Sequence, residues 1–212
     1  SPSERSVVEV LFDEPGEYDI FHVNPDNAYT LGKVKVLNDN TDADYSQQFL
    51  TIKENNYVLQ ELEQYKSWLN KNPDVNLKLD VDLPGMRMMG QHMQMNHADE
   101  SGLEWEDVMQ LMNFGSSDNV VDWKITDTKT GLSNMKIQYK CKVGYKVKIR
   151  ITNEENSPHP MQHPIHLHGQ RFLVLAIDDV PNDNLVWKDT VLVPTGKSVD
   201  ILVDMTNPGT WM

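Results

Sequence analysis

Four of the seven histidines, His159, His163, His166 and His168, fall within ten residues, in the run Ser157-Pro-His-Pro-Met-Gln-His-Pro-Ile-His-Leu-His-Gly169. The last three have the spacing H-x-x-H-x-H. Alternate residues of an extended segment share a face, so His166 and His168 point to one side, ~7 Å apart along the strand. That separation suits two adjacent ions better than one shared ion. His163, three residues from His166, points to the other side and would serve a separate metal, with Pro164 stiffening the chain between them. Neutral imidazole takes copper, zinc, iron and nickel, so residue type alone does not choose the metal. A lone histidine here would more often be a hydrogen-bonded residue on a sheet edge. Three at this spacing, followed by Gly169 and an apolar strand, argue for ligation.

The elements that must hold these imidazoles read as strands. Alternating or β-branched runs cover Val7 to Phe12, Tyr18 to Val23, Tyr29 to Leu37, Leu77 to Leu83, Val120 to Thr126, Lys146 to Thr152, Arg171 to Ile177 and Ser198 to Val203. Short strands in this number predict an all-β sandwich or barrel. One stretch differs: Tyr57, Val58, Leu62, Tyr65 and Leu69 recur at helical spacing, which predicts one connecting helix over about 54–69, stopped by Asn70 to Pro73. Residues 85–118 lack periodicity and read as a long loop with a short helical turn.

Composition narrows the partners. With 19 basic and 32 acidic residues the net charge is -13, which repels a phosphate backbone and argues against nucleic acid. The longest apolar runs fall far short of the ~20 residues that span a bilayer. The opening SPSERSVVEVLF carries no export signal. A single cysteine, Cys141, excludes internal disulfides and CxxC motifs.

The two ends of the chain repeat a pattern. Ser6-Val-Val-Glu-Val-Leu-Phe-Asp13 precedes Pro15-Gly-Glu-Tyr18, and Ser198-Val-Asp-Ile-Leu-Val-Asp204 precedes Pro208-Gly-Thr-Trp211. Two related β-domains are expected, the tail of one and most of a second. The first copy continues through Asp19-Ile-Phe-His-Val23, whereas the second stops at Met212, so the 212 residues are expected to be a piece of a longer chain.

The segments HPMQHPIHLHGQRFLVL (159–175), NDNLVWKDTVLVPTG (182–196) and NPGTWM (207–212) resemble the third cupredoxin domain of bacterial and archaeal laccase-like multicopper oxidases. ERSVVEVLFDEPGEYDIFHV resembles the end of that family's second domain, and the helix and GLEWEDVM resemble its connector and loop. The resemblance implies a cupredoxin-like Greek-key β-sandwich or barrel. It divides the chain into the last strands of a preceding domain (1–40), a connector with the helix (41–73) and a C-terminal cupredoxin domain (74–212) lacking its last strand.

By motif position, the resemblance implies that His163 ligates the type 1 copper, His166 the type 2 copper and His168 a type 3 copper. It places Gln170 where the family often has a non-ligating histidine. It also implies a His-Cys-His-x-x-x-His segment just after Trp211-Met212, and further ligands from a first domain. Neither is among these residues, and Cys141 precedes the motif, so the 212 residues alone are expected to be inactive. The parent is expected to oxidise phenols, aromatic amines or metal ions one electron at a time and to reduce dioxygen to water, in a secreted, periplasmic or cell-surface location. Its implied partners are that small-molecule or metal-ion reductant, dioxygen and the missing parts of the same polypeptide.

Two features are left open. Met86, Met88, Met89, Met93 and Met95 with His92 and His97 could bind Cu(I) or be adaptable apolar cover. Glu104, Glu106 and Asp107 beside Trp105 could steer a cationic or phenolic reductant or be a solvated acidic face. Asp178 and Asp179 read as a hairpin turn, and Asp189 as a structural hydrogen-bonding residue. The rival functions are a non-catalytic copper-binding module and a zinc-binding β-sandwich using the same histidines.

Overall fold

The computed structural model describes residues 4–39, 43–51, 55–82, 102–105, 121–157 and 160–212. His159, the Met-rich stretch with His92 and His97, and Glu106 and Asp107 lie outside the described residues. The chain divides into two compact units, Arg5–Gln64 and Tyr65–Met212 with Glu4. The boundary falls inside the stretch read as the connector.

In the first unit, β1 (Gly16–Val23) and β2 (Ala28–Val36) form an antiparallel hairpin. Its turn is organised by Asn24, whose side-chain oxygen accepts the backbone N–H groups of Asp26 and Asn27 at 3.0 and 2.6 Å. Two helices follow, α1 (Ser46–Thr51) and α2 (Asn56–Glu63), the latter capped by Asn55, whose side chain accepts from the Val58 N–H at 3.2 Å. The periodicity therefore located a helix but overran it. After Gln64 the chain tightens to a 3-10 turn at Lys66–Trp68. The carbonyls of Trp68, Leu69 and Lys71 are gathered by the Lys148 ammonium at 3.3, 3.2 and 2.7 Å. Carbonyls left over at a helix end need such a donor, and here it comes from a strand. The α1 helix had no signature in the sequence reading.

The second unit is a β-sandwich. Its larger sheet contains β3 (Val75–Asp82), β4 (Asp122–Asp127), β5 (Lys146–Asn153), β7 (Phe172–Ile177), β8 (Val180–Pro181), β9 (Trp187–Lys188) and β11 (Ser198–Asp204). Their order is β4-β3-β5-β11-β7-β8, with β9 also on β7. The β3–β5 pair is parallel and the others are antiparallel. A smaller layer pairs β6 (His163–His166) with β10 (Thr190–Val193).

The core lies between these layers. Val199, Ile201 and Val203 of β11 point inward at strand alternation, joined by Ile151, Phe172, Val174, Val191 and Val193. Fully burying each such side chain contributes about 1.5–3 kcal/mol. The other face of β11 is also covered, since Leu202 is fully buried and Asp200 and Asp204 are 3% and 6% exposed. These carboxylates are paired. Asp200 takes the Arg150 guanidinium through both oxygens at 2.6 and 3.1 Å and Lys148 at 3.2 Å. Asp204 accepts the Tyr65 hydroxyl at 2.6 Å.

Asp178 and Asp179 form the hairpin turn between β7 and β8, both with positive φ (50° and 63°). Asp tolerates that conformation better than most residues, and ion pairs hold it, Asp178 to Lys197 at 2.9 Å and Asp179 to Arg150 at 2.6 Å. The expected strand over Val7 to Phe12 is not formed. It has no paired neighbour among the described residues, and Val7 is 98% exposed.

Candidate metal centre

The histidine run lies on β6 and the residues just after it, in register with β10: His163 opposes Val193, Ile165 opposes Val191 and His166 opposes Thr190. Ile165 and Leu167 pack on the core, which sends His166 and His168 outward, where both residues are exposed. His163 has the parity of Ile165 and is partly buried. The structure thus separates His163 from the other two as the alternation predicts.

On the outer face, the rings of His166 and His168 are 5.0 Å apart between centroids, at 59°. This is closer than the backbone spacing implies because the side chains lean together. One ion with metal–nitrogen bonds of about 2.0 Å could reach both, so distance no longer argues against a shared ion. His166 is held from behind. Its Nδ1 lies 2.9 Å from the Asp189 carbonyl oxygen and 2.9 Å from the Thr190 hydroxyl. A carbonyl only accepts, and the Thr190 hydroxyl donates to the Asp189 carboxylate at 3.0 Å. Nδ1 therefore carries the proton, and Nε2 keeps the lone pair a metal needs. The same Asp189 carbonyl accepts the Leu167 N–H at 3.0 Å.

On the inner side, His163 meets the Trp123 ring of β4 edge to face, with centroids 5.3 Å apart. Trp123 is 39% exposed. The preceding residue, Gln162, is bonded to Glu104 through both ends of its amide, donating to the Glu104 carbonyl at 2.7 Å and accepting the Glu104 N–H at 3.2 Å.

His168 is followed by a sharp turn at Gly169 (φ 66°). The Trp211 ring covers it so closely that a Cβ on Gly169 would lie 2.3 Å from the ring. The His168 N–H donates to the Met212 carbonyl at 2.8 Å. Gln170, set aside in the sequence as a non-ligand, donates to the Asn207 carbonyl at 2.6 Å and accepts the N–H groups of Thr206 and Asn207 at 3.2 and 3.3 Å.

The sequence reading identified the three imidazoles and gave Asp189 a hydrogen-bonding role. Trp123 and Thr190 carry no motif and had no place in it, and Gln162 and Gln170, though inside the histidine segment, were given no structural role there. Three imidazoles, one with its tautomer set by hydrogen bonds, are a donor set suited to copper or zinc. Among the described residues, no three His, Cys, Asp or Glu side chains converge on one point, so any site here draws further ligands from elsewhere.

A family model described as multicopper oxidase matches residues 91–212, the region that holds all three histidines. A multicopper oxidase of Staphylococcus haemolyticus is 33% identical over 79 residues, covering 36% of this chain and 18% of that protein. Laccase-1 of Melanocarpus albomyces is 32% identical over 82 residues, covering 29% of this chain and 13% of that protein. The matched segment is thus under a fifth of either relative. Among solved structures, a blue copper oxidase from Nitrosomonas europaea aligns with a TM-score of 0.42 at 23% identity, covering 66% of this chain and 36% of that one. With the family model matched over more than half of its residues, this chain belongs to the multicopper oxidase family.

Proposed function

We propose that these residues form the end of one cupredoxin domain (1–40), a connector (41–73) and most of a C-terminal cupredoxin domain (74–212) of a laccase-like oxidase. In this reading His163 ligates the type 1 copper, His166 the type 2 copper and His168 a type 3 copper. The observation that carries it is the division of three imidazoles between two faces of one strand. His163 sits on the inner side beside a half-exposed tryptophan, and His166 and His168 lie together on the outer side. When bound, copper supplies one-electron redox chemistry, linking oxidation of phenols, aromatic amines or metal ions to four-electron reduction of dioxygen to water.

The protein's own part is positioning. Asp189 and Thr190 hold the proton of His166 on Nδ1, which leaves the Nε2 lone pair for a metal. The Ile165 and Leu167 side chains, packed on the core, fix the strand that carries the imidazoles. The thiolate that the type 1 site requires is not among these residues, since Cys141 is exposed and precedes the motif. Other parts of the polypeptide would supply it, and the 212 residues alone would bind copper weakly and be inactive. The exposed apolar residues of the first unit, Ile20, Phe21 and Leu31 among them, support further polypeptide against that hairpin. A secreted, periplasmic or cell-surface location goes with this reading.

The test uses the full-length, copper-replete protein. Intense blue absorption from a thiolate–copper bond is expected and should vanish in His163→Ala. In His166→Ala and His168→Ala the blue colour should persist and be bleached by reductant, but dioxygen should no longer restore it. Absence of the blue band in the copper-replete wild type would overturn the reading. A second reading, a non-catalytic copper or zinc module, is favoured only by the 5.0 Å ring separation of His166 and His168. It would be supported by one tightly held ion and no oxidase activity in the same preparation.

A further inference from the structure

The histidine run is bracketed by two glutamines that play the same structural part at its opposite ends. Gln162 immediately precedes His163, and Gln170 follows His168 by two residues. Each uses its amide as a short piece of extended backbone, with the N–H donating to a carbonyl and the oxygen accepting backbone N–H groups. Gln162 joins the backbone of Glu104 in this way, with bonds of 2.7 and 3.2 Å. Gln170 joins Thr206 and Asn207, with bonds of 2.6, 3.2 and 3.3 Å.

Both captured segments have a second attachment. Gly102 has a positive φ of 80° and accepts the Thr195 N–H at 2.9 Å, so close that a Cβ would lie 2.2 Å from the Thr195 carbonyl. The other segment returns to the histidine turn through the Asn207 side chain, which donates to the Gly169 carbonyl at 2.9 Å. It ends with the Met212 carbonyl on the His168 N–H. An aromatic residue lies on each captured segment, Trp105 on the first and Trp211 on the second, the latter packed on Gly169.

We propose that Gln162 and Gln170 are positioning residues of the metal centre. Gln162 fixes the wall beside His163, and Gln170 fixes the strap that sets the place of His168. Neither amide is a ligand. A glutamine serves where a histidine or an apolar residue would not, because only a primary amide presents a donor and an acceptor side by side in backbone geometry. The division of labour rests on the assignment of His163 and His168 to separate copper sites, whereas the bracket itself does not.

The experiment has two arms. In the copper-free full-length protein, hydrogen exchange is read by mass spectrometry with residue-level fragmentation. Gln170→Met, similar in length but unable to form these bonds, should speed exchange of the His168 amide about tenfold and leave the Glu104 amide unchanged. Gln162→Met should do the reverse. Gln170→Glu keeps the acceptor but loses the donor, and should fall between wild type and Gln170→Met. Equal acceleration at both places in either variant, or none, would overturn the bracket.

In the copper-loaded protein, Gln162→Met should shift the blue absorption and leave unchanged the near-ultraviolet absorption of the copper pair to which His168 is assigned. Gln170→Met should do the opposite. A blue wild type in which neither variant moves its own signature would overturn the positioning role. A copper-replete wild type without blue absorption, in which exchange still partitions as stated, would leave the bracket standing and remove the copper assignment.

Discussion

The segments Ser6–Asp13 and Ser198–Asp204 are built on the same pattern, a serine, an apolar strand-forming run and an acidic end, then Pro-Gly and an aromatic. Their fates differ completely. Val7, Val8 and Val10 are 98%, 76% and 63% exposed, whereas Val199, Ile201 and Val203 are 0%, 3% and 0% exposed. The second copy pairs on both sides, with β5 and with β7. The first has no strand partner among the described residues. β-propensity marks what can fit a pleated, half-buried surface, and the neighbours decide whether a strand forms. The aromatics diverge too: the Tyr18 hydroxyl bonds back to the Glu14 carbonyl at 2.8 Å, while Trp211 covers Gly169.

The largest expected effect lies at the acidic residue inside the second copy. Asp200 stands between Lys148 and Arg150, and Asp200→Ala leaves the buried Lys148 ammonium with backbone carbonyls but no counter-charge and Arg150 with Asp179 alone, at a cost of about 3–5 kcal/mol. Hydrogen exchange of the β5 and β11 amides at rising denaturant should show the loss. An unchanged stability would mean that the layer holding them is not closed.

The comparison itself is sharpened by Ile201→Ala set beside Val10→Ala. The first should cost about 2–5 kcal/mol by leaving a cavity. The second should change stability by less than about 0.5 kcal/mol. Comparable effects in the full-length protein would show that the first copy is covered by polypeptide outside these 212 residues.

Gly169→Ala follows. The left-handed backbone alone costs about 1–2 kcal/mol with a Cβ, and the Trp211 ring must also move. Exchange at His168 and the fluorescence of Trp211 should both report the displacement. No change in either would break the link between the strap and the histidine turn.

The smallest effect is acid sensitivity at the end of β4. The Lys129 backbone N–H, with the Tyr139 and Thr130 contacts, holds the Asp127 carboxyl below its usual range. A lowered carboxylate stabilises the fold above its ordinary pKa, and that contribution is lost as pH falls through the folded value. Asp127→Asn should therefore lose stability near neutral pH and show a shallower decline in acid, measured by unfolding at pH 7 and pH 3. Tyr139 is pushed up to about 12 by burial and by Asp127, so its contribution is present at neutral pH and is lost only as pH rises past 10 towards that value.

Much of the fold and the placing of the three imidazoles proposed as ligands were legible in the sequence because they rest on local periodicity. Seven of the eight expected strands correspond to observed ones. The alternation that divides His163 from His166 and His168 needs only the pleat of one short strand. Where local pattern was the wrong guide, the cause was distant: the helix over 54–69 gives way to a 3-10 turn whose carbonyls Lys148 collects from 77 to 80 residues away.

What the sequence by itself determined is therefore the mostly-β class and the grouping of the three imidazoles, carried by residue type and spacing along the chain, and the family, carried by the resemblance of whole segments. Only the tertiary structure decided what surrounds them. Trp123 reaches His163 from 40 residues away, and the bond from Gln162 to Glu104 spans 58 residues. Asp189 and Thr190 reach His166 across the β6–β10 pair and set its tautomer. Strand register and sheet stacking are non-local, so a change in pairing would replace these neighbours while leaving the motif untouched.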